Sequence, residues 1–245
     1  MYNKKKKLKK KEKALKKNFA SLYKTFCYRL FGKFFKNREK YKNLNNQLKM
    51  ANMKYTSDIF LSTMIFSVLI ITLLSFISYL LIFQFILNLD SAVLYILFLT
   101  LINSALGFSM FYIILKMKIS NRKTNLDQEI PFTLSELSVL ASTGLTPIKI
   151  VRNIAKRKNG NQIMISEFKK IVHKIDLEGK DIVTSLSETA LETPSEKFRE
   201  VLWDLSNMIH QGGDLDEYLR QKADQTMQLR RDIQKLFTQK LGTYL

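Results

Sequence analysis

Cysteine occurs once in this chain, at Cys27, which excludes an internal disulfide framework and any cysteine-based zinc or iron–sulfur centre. Histidine occurs twice, at His173 and His210, too few to build a metal centre without carboxylate help. Both sit beside apolar neighbours and are expected to pack or to cap helices. Three prolines and eight glycines supply little turn-forming material and favour long helices. Alternation of apolar and polar residues at period two is hard to find, so strands are not expected and the fold class reads as all-α. There is no glycine-rich phosphate loop, no nucleophile beside a base and no metal-ligand spacing, so no catalysis, metal or cofactor is expected.

Ionisable groups are missing where their absence says most. No Asp, Glu, Lys, Arg or His occurs from Ile59 to Leu87 or from Ser91 to Leu115, runs of 29 and 25 residues. About 20 residues of helix cross the hydrocarbon core of a bilayer, so both runs are expected to span it. Only Asn88, Leu89 and Asp90 lie between them, which suits a tight transmembrane hairpin. Gln84 and Asn103 are the polar residues to notice inside the spans; Asn103 is read as a local contact within the hairpin or a bridge to another membrane subunit. With no charge in the bilayer, a stand-alone transport path is not expected.

Acids are nearly absent from the first quarter. Residues 1–57 hold 19 of the 40 Lys and Arg against Glu12 and Glu39 alone, so most of the net charge of +19 is local and the mean hydropathy of −0.09 averages unlike regions. The basic N-terminus, together with Lys116, Lys118, Arg122 and Lys123 after the second span, places both ends in the cytoplasm by the positive-inside rule. Residues 4–17 read as a solvated lysine tail that touches anionic lipid headgroups. Phe19, Leu22, Tyr23, Phe26, Leu30, Phe31, Phe34 and Phe35 then recur at spacings of three and four among Lys and Arg. That is an amphipathic interfacial helix, with packing of its aromatic face on the cytoplasmic domain as the other option. Nucleic-acid binding by the same basic–aromatic pattern is the weaker reading.

From about Asn125 the chain reads as successive amphipathic helices. Thr133 and Glu136 have capping-box spacing; Thr146-Pro147 opens a second helix after Gly144, and Asn159-Gly160-Asn161 a third. Gly179 permits a turn. Thr193-Pro194-Ser195-Glu196 offers a capping Thr, a first-turn Pro and a capping Glu, and Asp214 with Glu217 caps the last helix after Gly212-Gly213. Glu188, Glu192, Glu196 and Glu200, at steps of four, read as two solvated helix ends. Six such helices are expected to form a bundle over roughly residues 130–240.

These residues also carry a resemblance. Ala141-Ser142-Thr143-Gly144-Leu145-Thr146-Pro147, then Ile175-Asp176-Leu177-Glu178-Gly179-Lys180-Asp181, Thr193 to Phe198 and Gly212 to Leu219 resemble, in order and spacing, motifs of the type II secretion F-domain family. The match is closest in kind to its archaeal branch, the membrane platform proteins of type IV pili and archaella, and covers about residues 125–245. It implies a scaffold that does not hydrolyse nucleotide, sits in the cytoplasmic membrane, meets a hexameric secretion ATPase and acts on pilin-like subunits. Pairing with a further copy or with a second platform half is also implied. Gly144, Pro147, Gly179, Pro194, Gly212, Gly213 and Asp214 match the motifs, with mainly structural tasks. In that family a further membrane segment follows the domain; this chain stops at Leu241 to Leu245 without a helix-stop signal, which reads as a fragment or half of a split platform.

The expected architecture is thus a polytopic membrane protein. Residues 1–57 form the basic cytoplasmic region, 58–118 the two-helix transmembrane hairpin with spans at about 59–87 and 91–115, and 125–245 the cytoplasmic six-helix bundle. Asp176, Glu178, Asp181, Asp216 and Glu217 are candidates for the ATPase-facing surface. The competing reading is a membrane-anchored helical adaptor for an unrelated cytoplasmic partner.

Overall fold

The computed structural model describes residue 23 and residues 25–31, 41–53, 55–86 and 92–243, with the side chains of 82–86, 92–95 and 241–243 outside that description. Every regular element among the described residues is helical: residues 25–31, α1 (Lys42–Met50), α2 (Ser57–Ile86), α3 (Ala92–Ser142), α4 (Pro147–Lys156), α5 (Gln162–Glu178), α6 (Ile182–Glu192), α7 (Glu196–Gln211) and α8 (Leu215–Thr243). The chain divides into two compact units, residues 1–117 and 118–245. The expected link Asn88 to Asp90, the lysine tail, and Phe19, Leu22, Phe34 and Phe35 lie outside the described residues.

In the first unit, α2 and α3 contain stretches long and apolar enough to cross a membrane, Ser57–Leu81 and Ile96–Ser142, with mean hydropathies of 2.5 and 1.8. Only 6% of each stretch's most apolar window is buried in the protein, which separates these helices from the core helices of a soluble domain. Hydroxyls in such a stretch need partners within their own helix, because hydrocarbon offers none. Ser62 donates to the Asp58 carbonyl at 2.6 Å, Thr63 to Phe60 at 2.8 Å, Thr72 to Leu69 at 2.9 Å, Ser75 to Thr72 at 2.9 Å and Thr100 to Leu97 at 2.9 Å. The two helices approach at Gly107, where an added Cβ would sit 3.4 Å from Val68 Cγ2, and at Phe60 and Phe111, whose rings meet edge to face at 6.4 Å. Asn103 is half-buried. The aromatic residues of 23–31 turn towards α2: Tyr23, Phe26 and Phe31 surround the Phe66 ring at 5.7, 5.9 and 6.4 Å.

The second unit is built on the end of α3. Leu126, Ile130, Leu134 and Leu137 recur at spacings of three and four, and all are buried. Against them pack Ile150, Val151 and Ile154 of α4, Met164, Phe168 and Ile171 of α5, Leu186 and Ala190 of α6, Phe198, Val201, Leu202 and Leu205 of α7, and Leu219 and Ala223 of α8. Inside this apolar core lies one fully buried carboxylate. Glu167, at 0% side-chain exposure, pairs with the Arg122 guanidinium, itself 6% exposed, and Lys170 stands 3.4 Å from the same carboxylate. Burial pushes the Lys170 ammonium below its ordinary value, and the Glu167 charge opposes that shift.

Two expected helix starts are corrected. No break occurs at Thr133: α3 runs through it, and Pro131 lies inside the helix. Thr133 is 4% exposed with no partner for its hydroxyl, and Glu136 pairs with Arg157 instead of the cap. A capping box has the i, i+3 spacing of any helix face, so without a breaker before it the pattern does not force a start. Pro131 removes the amide that would bond the Asp127 carbonyl; one residue on, the Gln128 carbonyl accepts from Arg230 Nη1 at 2.7 Å. At the second site Ser195 is the cap, accepting from the Phe198 amide at 3.0 Å, while Thr193 is extended at φ −82°, ψ 140°. Pro194 forbids helix in the residue before it, so the start moves two residues on.

Removing one partner of a buried pair strands the other charge at about 3–5 kcal/mol, whereas apolar replacement of both is near neutral. Glu167→Ala should therefore lower the stability of the second unit by roughly that amount, with most of it recovered in Arg122→Met/Glu167→Leu. Denaturant unfolding of the detergent-solubilised chain checks this; a cost for Glu167→Ala no larger than for the double variant would refute it.

Candidate functional site

Helices α4 to α8 are joined by turns of a few residues, so successive helices alternate in direction. The cross-helix bonds agree. Asn161 Nδ2 donates to the Asn125 carbonyl at 3.4 Å, Ser195 bonds Asp127, and Arg157 pairs with Glu136 and, at 3.4 Å, with Glu129. The turns at 157–161 and 193–195 thus lie beside the first half of this unit's α3 segment. Ser206 Oγ of α7 donates to the Val183 carbonyl of α6 at 3.1 Å and meets Ser187 Oγ at 2.9 Å. That brings the start of α6 to the end of α7, at the opposite end of the unit. The turns that carry Gly144, Gly179 and Gly212-Gly213 collect there with three of the four sequence motifs, while the Thr193–Phe198 motif lies at the other end, beside Asp127.

Each motif residue has a local task. Gly179 and Gly212 end α5 and α7 at φ +66° and +65°, left-handed conformations that cost an L side chain roughly 1–2 kcal/mol. At Gly213 an added Cβ would meet Met208 Cε at 2.8 Å, and the Gly213 amide donates to the Met208 carbonyl at 3.0 Å. Gly144 closes α3 at φ +71°, Pro147 stands in the first turn of α4, and Pro194 precedes the α7 cap. Asp214 accepts from the amides of Asp216 and Glu217 at 3.0 and 3.2 Å and so caps α8.

The five acids proposed from sequence fall at this same end, and most are engaged. Asp176 takes Arg152 at 2.6 Å. Glu178 takes Lys180 at 2.9 Å, and Asp181 caps α6 by accepting from the Thr184 amide at 2.9 Å. Asp216 is half-buried in the first turn of α8, and Glu217 is exposed, accepting from Gln221 Nε2 at 3.1 Å. Leu177, in the middle of the second motif, is 75% exposed, an aliphatic side chain held in water between two paired acids. Its exposure follows from the helical period: nine residues, or two and a half turns, after Phe168, it falls on the face of α5 opposite the Ile163–Ile175 stripe.

Sequence reasoning missed a charge ladder behind this end. Lys180 bonds both Glu188 oxygens, at 2.8 and 2.7 Å, and Lys174, 9% exposed, lies 3.2 Å from Glu188 and 3.6 Å from Glu192. Glu188 and Glu192 are therefore not a solvated helix end, as their spacing suggested, while Glu196 is 79% exposed and Glu200 64%. Helical spacing alone cannot place α6 against Lys174. The Lys180 hydrogen bonds hold the Glu188 and Glu178 carboxyls below the usual glutamate range and raise Lys180 well above its own. Bonds from Thr184 likewise lower Asp181. His173 does not pack: it is 61% exposed, 3.8 Å from Glu178, and His210 is exposed in the last turn of α7. Among the described residues no three His, Cys, Asp or Glu are placed to hold a metal ion.

Residues 133–245 match the family model described as Type II secretion system (T2SS), protein F, which covers a little under half of the chain. No curated protein and no solved structure matches it.

A carboxyl held below its unfolded value stabilises the fold above that value, about pH 4.3 for glutamate, and the contribution is lost as pH falls through the depressed folded value. Thermal unfolding in a pH series should therefore show the Glu178 and Glu188 contribution intact down to about pH 4.3 and fading below it. Lys180→Met should flatten that acid limb; an unchanged limb would show that the ladder does not contribute.

Proposed function

We propose that this chain is a platform protein of the cytoplasmic membrane for a type IV pilus-like filament, an archaellum or a type II secretion system. In this reading α2 and the first part of α3 form a transmembrane hairpin with both ends in the cytoplasm. Residues 125–245 then form the cytoplasmic six-helix bundle that couples a hexameric secretion ATPase to pilin-like subunits. The observation that carries the reading is the type II secretion F match over residues 133–245, in a chain that also holds two helices apolar enough to cross a bilayer. The lysine-rich N-terminus touches anionic headgroups, and the chain works with a further copy or a second platform half, as an archaeal-type member does. The alternative is a membrane-anchored helical adaptor for an unrelated partner; it predicts the same anchor and a different companion.

The partner-facing surface is the end of the bundle that gathers the turns of Gly144, Gly179 and Gly212-Gly213. Asp176, Glu178 and Asp181 serve that end from within, through Arg152, Lys180 and the α6 cap. Glu217 stands outward, with Asp216 beside it and Leu177 as an apolar anchor near the α5 end.

Mild-detergent purification of the tagged chain from its native host, with mass spectrometry of what accompanies it, should recover a secretion-type ATPase and pilin-like proteins above a control membrane protein. Asp216→Lys/Glu217→Lys should weaken ATPase recovery about tenfold, a loss of roughly 1.4 kcal/mol, while leaving the helical circular dichroism unchanged. Recovery of unrelated soluble proteins instead would replace the platform by the adaptor.

A further inference from the structure

Asn159 is the only asparagine in the chain followed by glycine, and the pair stands in the exposed turn between α4 and α5. An asparagine side chain is open to attack by the amide nitrogen of the next residue when that nitrogen is free and unhindered. The fold decides which asparagines meet those conditions. Those inside α1, α3, α4 and α7 have helical ψ values, which hold the following amide away from the side-chain carbonyl. Asn52 precedes the Met53 amide, which donates to the Leu48 carbonyl at 2.9 Å. Asn161 is engaged as the α5 cap, accepting from the Ile163 and Met164 amides at 3.0 and 3.4 Å. Asn159 differs on each count. Its side chain is exposed, and among the described residues neither it nor the Gly160 amide has a hydrogen-bond partner. Gly160 adopts φ +116°, where a Cβ would lie 2.7 Å from Arg157 Cζ, so the position suits glycine and the attacking nitrogen meets no side chain of its own residue. Lys156 and Lys158 are exposed beside it, and their positive field favours loss of the amide proton.

We infer that Asn159 is a spontaneous deamidation site whose product is aspartate or isoaspartate. The Gly160 nitrogen bonds Asn159 Cγ as the Cγ–Nδ2 bond breaks, and Nδ2 leaves as ammonia with the proton lost from Gly160. Water then opens the cyclic imide. Opening at Cγ gives aspartate; opening at the backbone carbonyl gives isoaspartate, with one more carbon in the main chain. No co-reactant but water is needed. Either product puts a carboxylate two residues from Arg157, whose guanidinium ties this turn to Glu129 and Glu136 of α3. The inference does not depend on the platform role.

The test holds the full chain warm in detergent at neutral and mildly alkaline pH, with circular dichroism confirming the fold. Every asparagine-containing peptide is followed by mass spectrometry, and isoaspartate is labelled with a protein isoaspartyl methyltransferase. Asn159 should convert at least about tenfold faster than Asn153, Asn161 and Asn207, and at a similar rate in the folded chain and in the chain unfolded in urea. The rate should rise with pH, because the attacking amide must first lose its proton. Asn159→Gln, whose longer side chain must close a larger ring, should abolish the acidic species that isoelectric focusing resolves. Conversion of Asn159 no faster than that of Asn161 would overturn the inference. So would conversion about tenfold or more slower in the folded chain than in urea, which would show that the turn protects the amide.

Discussion

Two charges buried in an apolar core constrain everything around them. Glu167 and Arg122 are each desolvated, and neither is tolerable without the other, so α5 can meet α3 in only one register. An apolar pair would allow the helices to slide by a turn at modest cost, because Leu, Ile and Met fill space interchangeably. Once this register is set, the Asn161 side chain reaches the Asn125 carbonyl, and Arg157 finds Glu129 and Glu136. With α5 placed, Lys174 faces α6 and draws Glu188 and Glu192 to it. The apolar residues supply the driving force; the ion pair selects among the packings they permit.

Apolar run length, periodicity and cap chemistry were the legible part of the sequence. The described parts of the runs from Ile59 and from Ser91 lie in α2 and the first part of α3. Pro147, Gly179, Gly212 and Asp214 stand at helix termini because their backbone requirements are local. Thr133 and Thr193 misled for the same reason. A short cap motif reports what a residue is able to do, and the surrounding chain decides whether the opportunity arises. At Thr133 nothing upstream stops the helix, and at Thr193 the following proline dictates the backbone.

Contacts remote in sequence were not legible. Arg122 and Glu167 lie 45 positions apart, and Ser195 and Asp127 lie 68 apart. Nothing in their neighbours' identities announces either meeting. The exposure of Leu177, by contrast, was readable from the helical period, since it lies two and a half turns from Phe168 on the opposite face of α5. The candidate surface was thus readable as a set of turns, while the division of its acids into engaged and outward groups required the packed helices.

The proline within α3 links two segments far apart in the chain. Asp127, four residues before Pro131, has no amide from that residue to accept, and the neighbouring Gln128 carbonyl is held by Arg230 of α8. When α8 lifts, Arg230 leaves, its stacking on Phe132 is lost, and the weakest turn of α3 surrenders a bond supplied from outside. Fraying of α8 and bending of α3 at the proline then become one cooperative event, and the pair behaves as a single unit of local opening within a domain whose remaining helices stay closed.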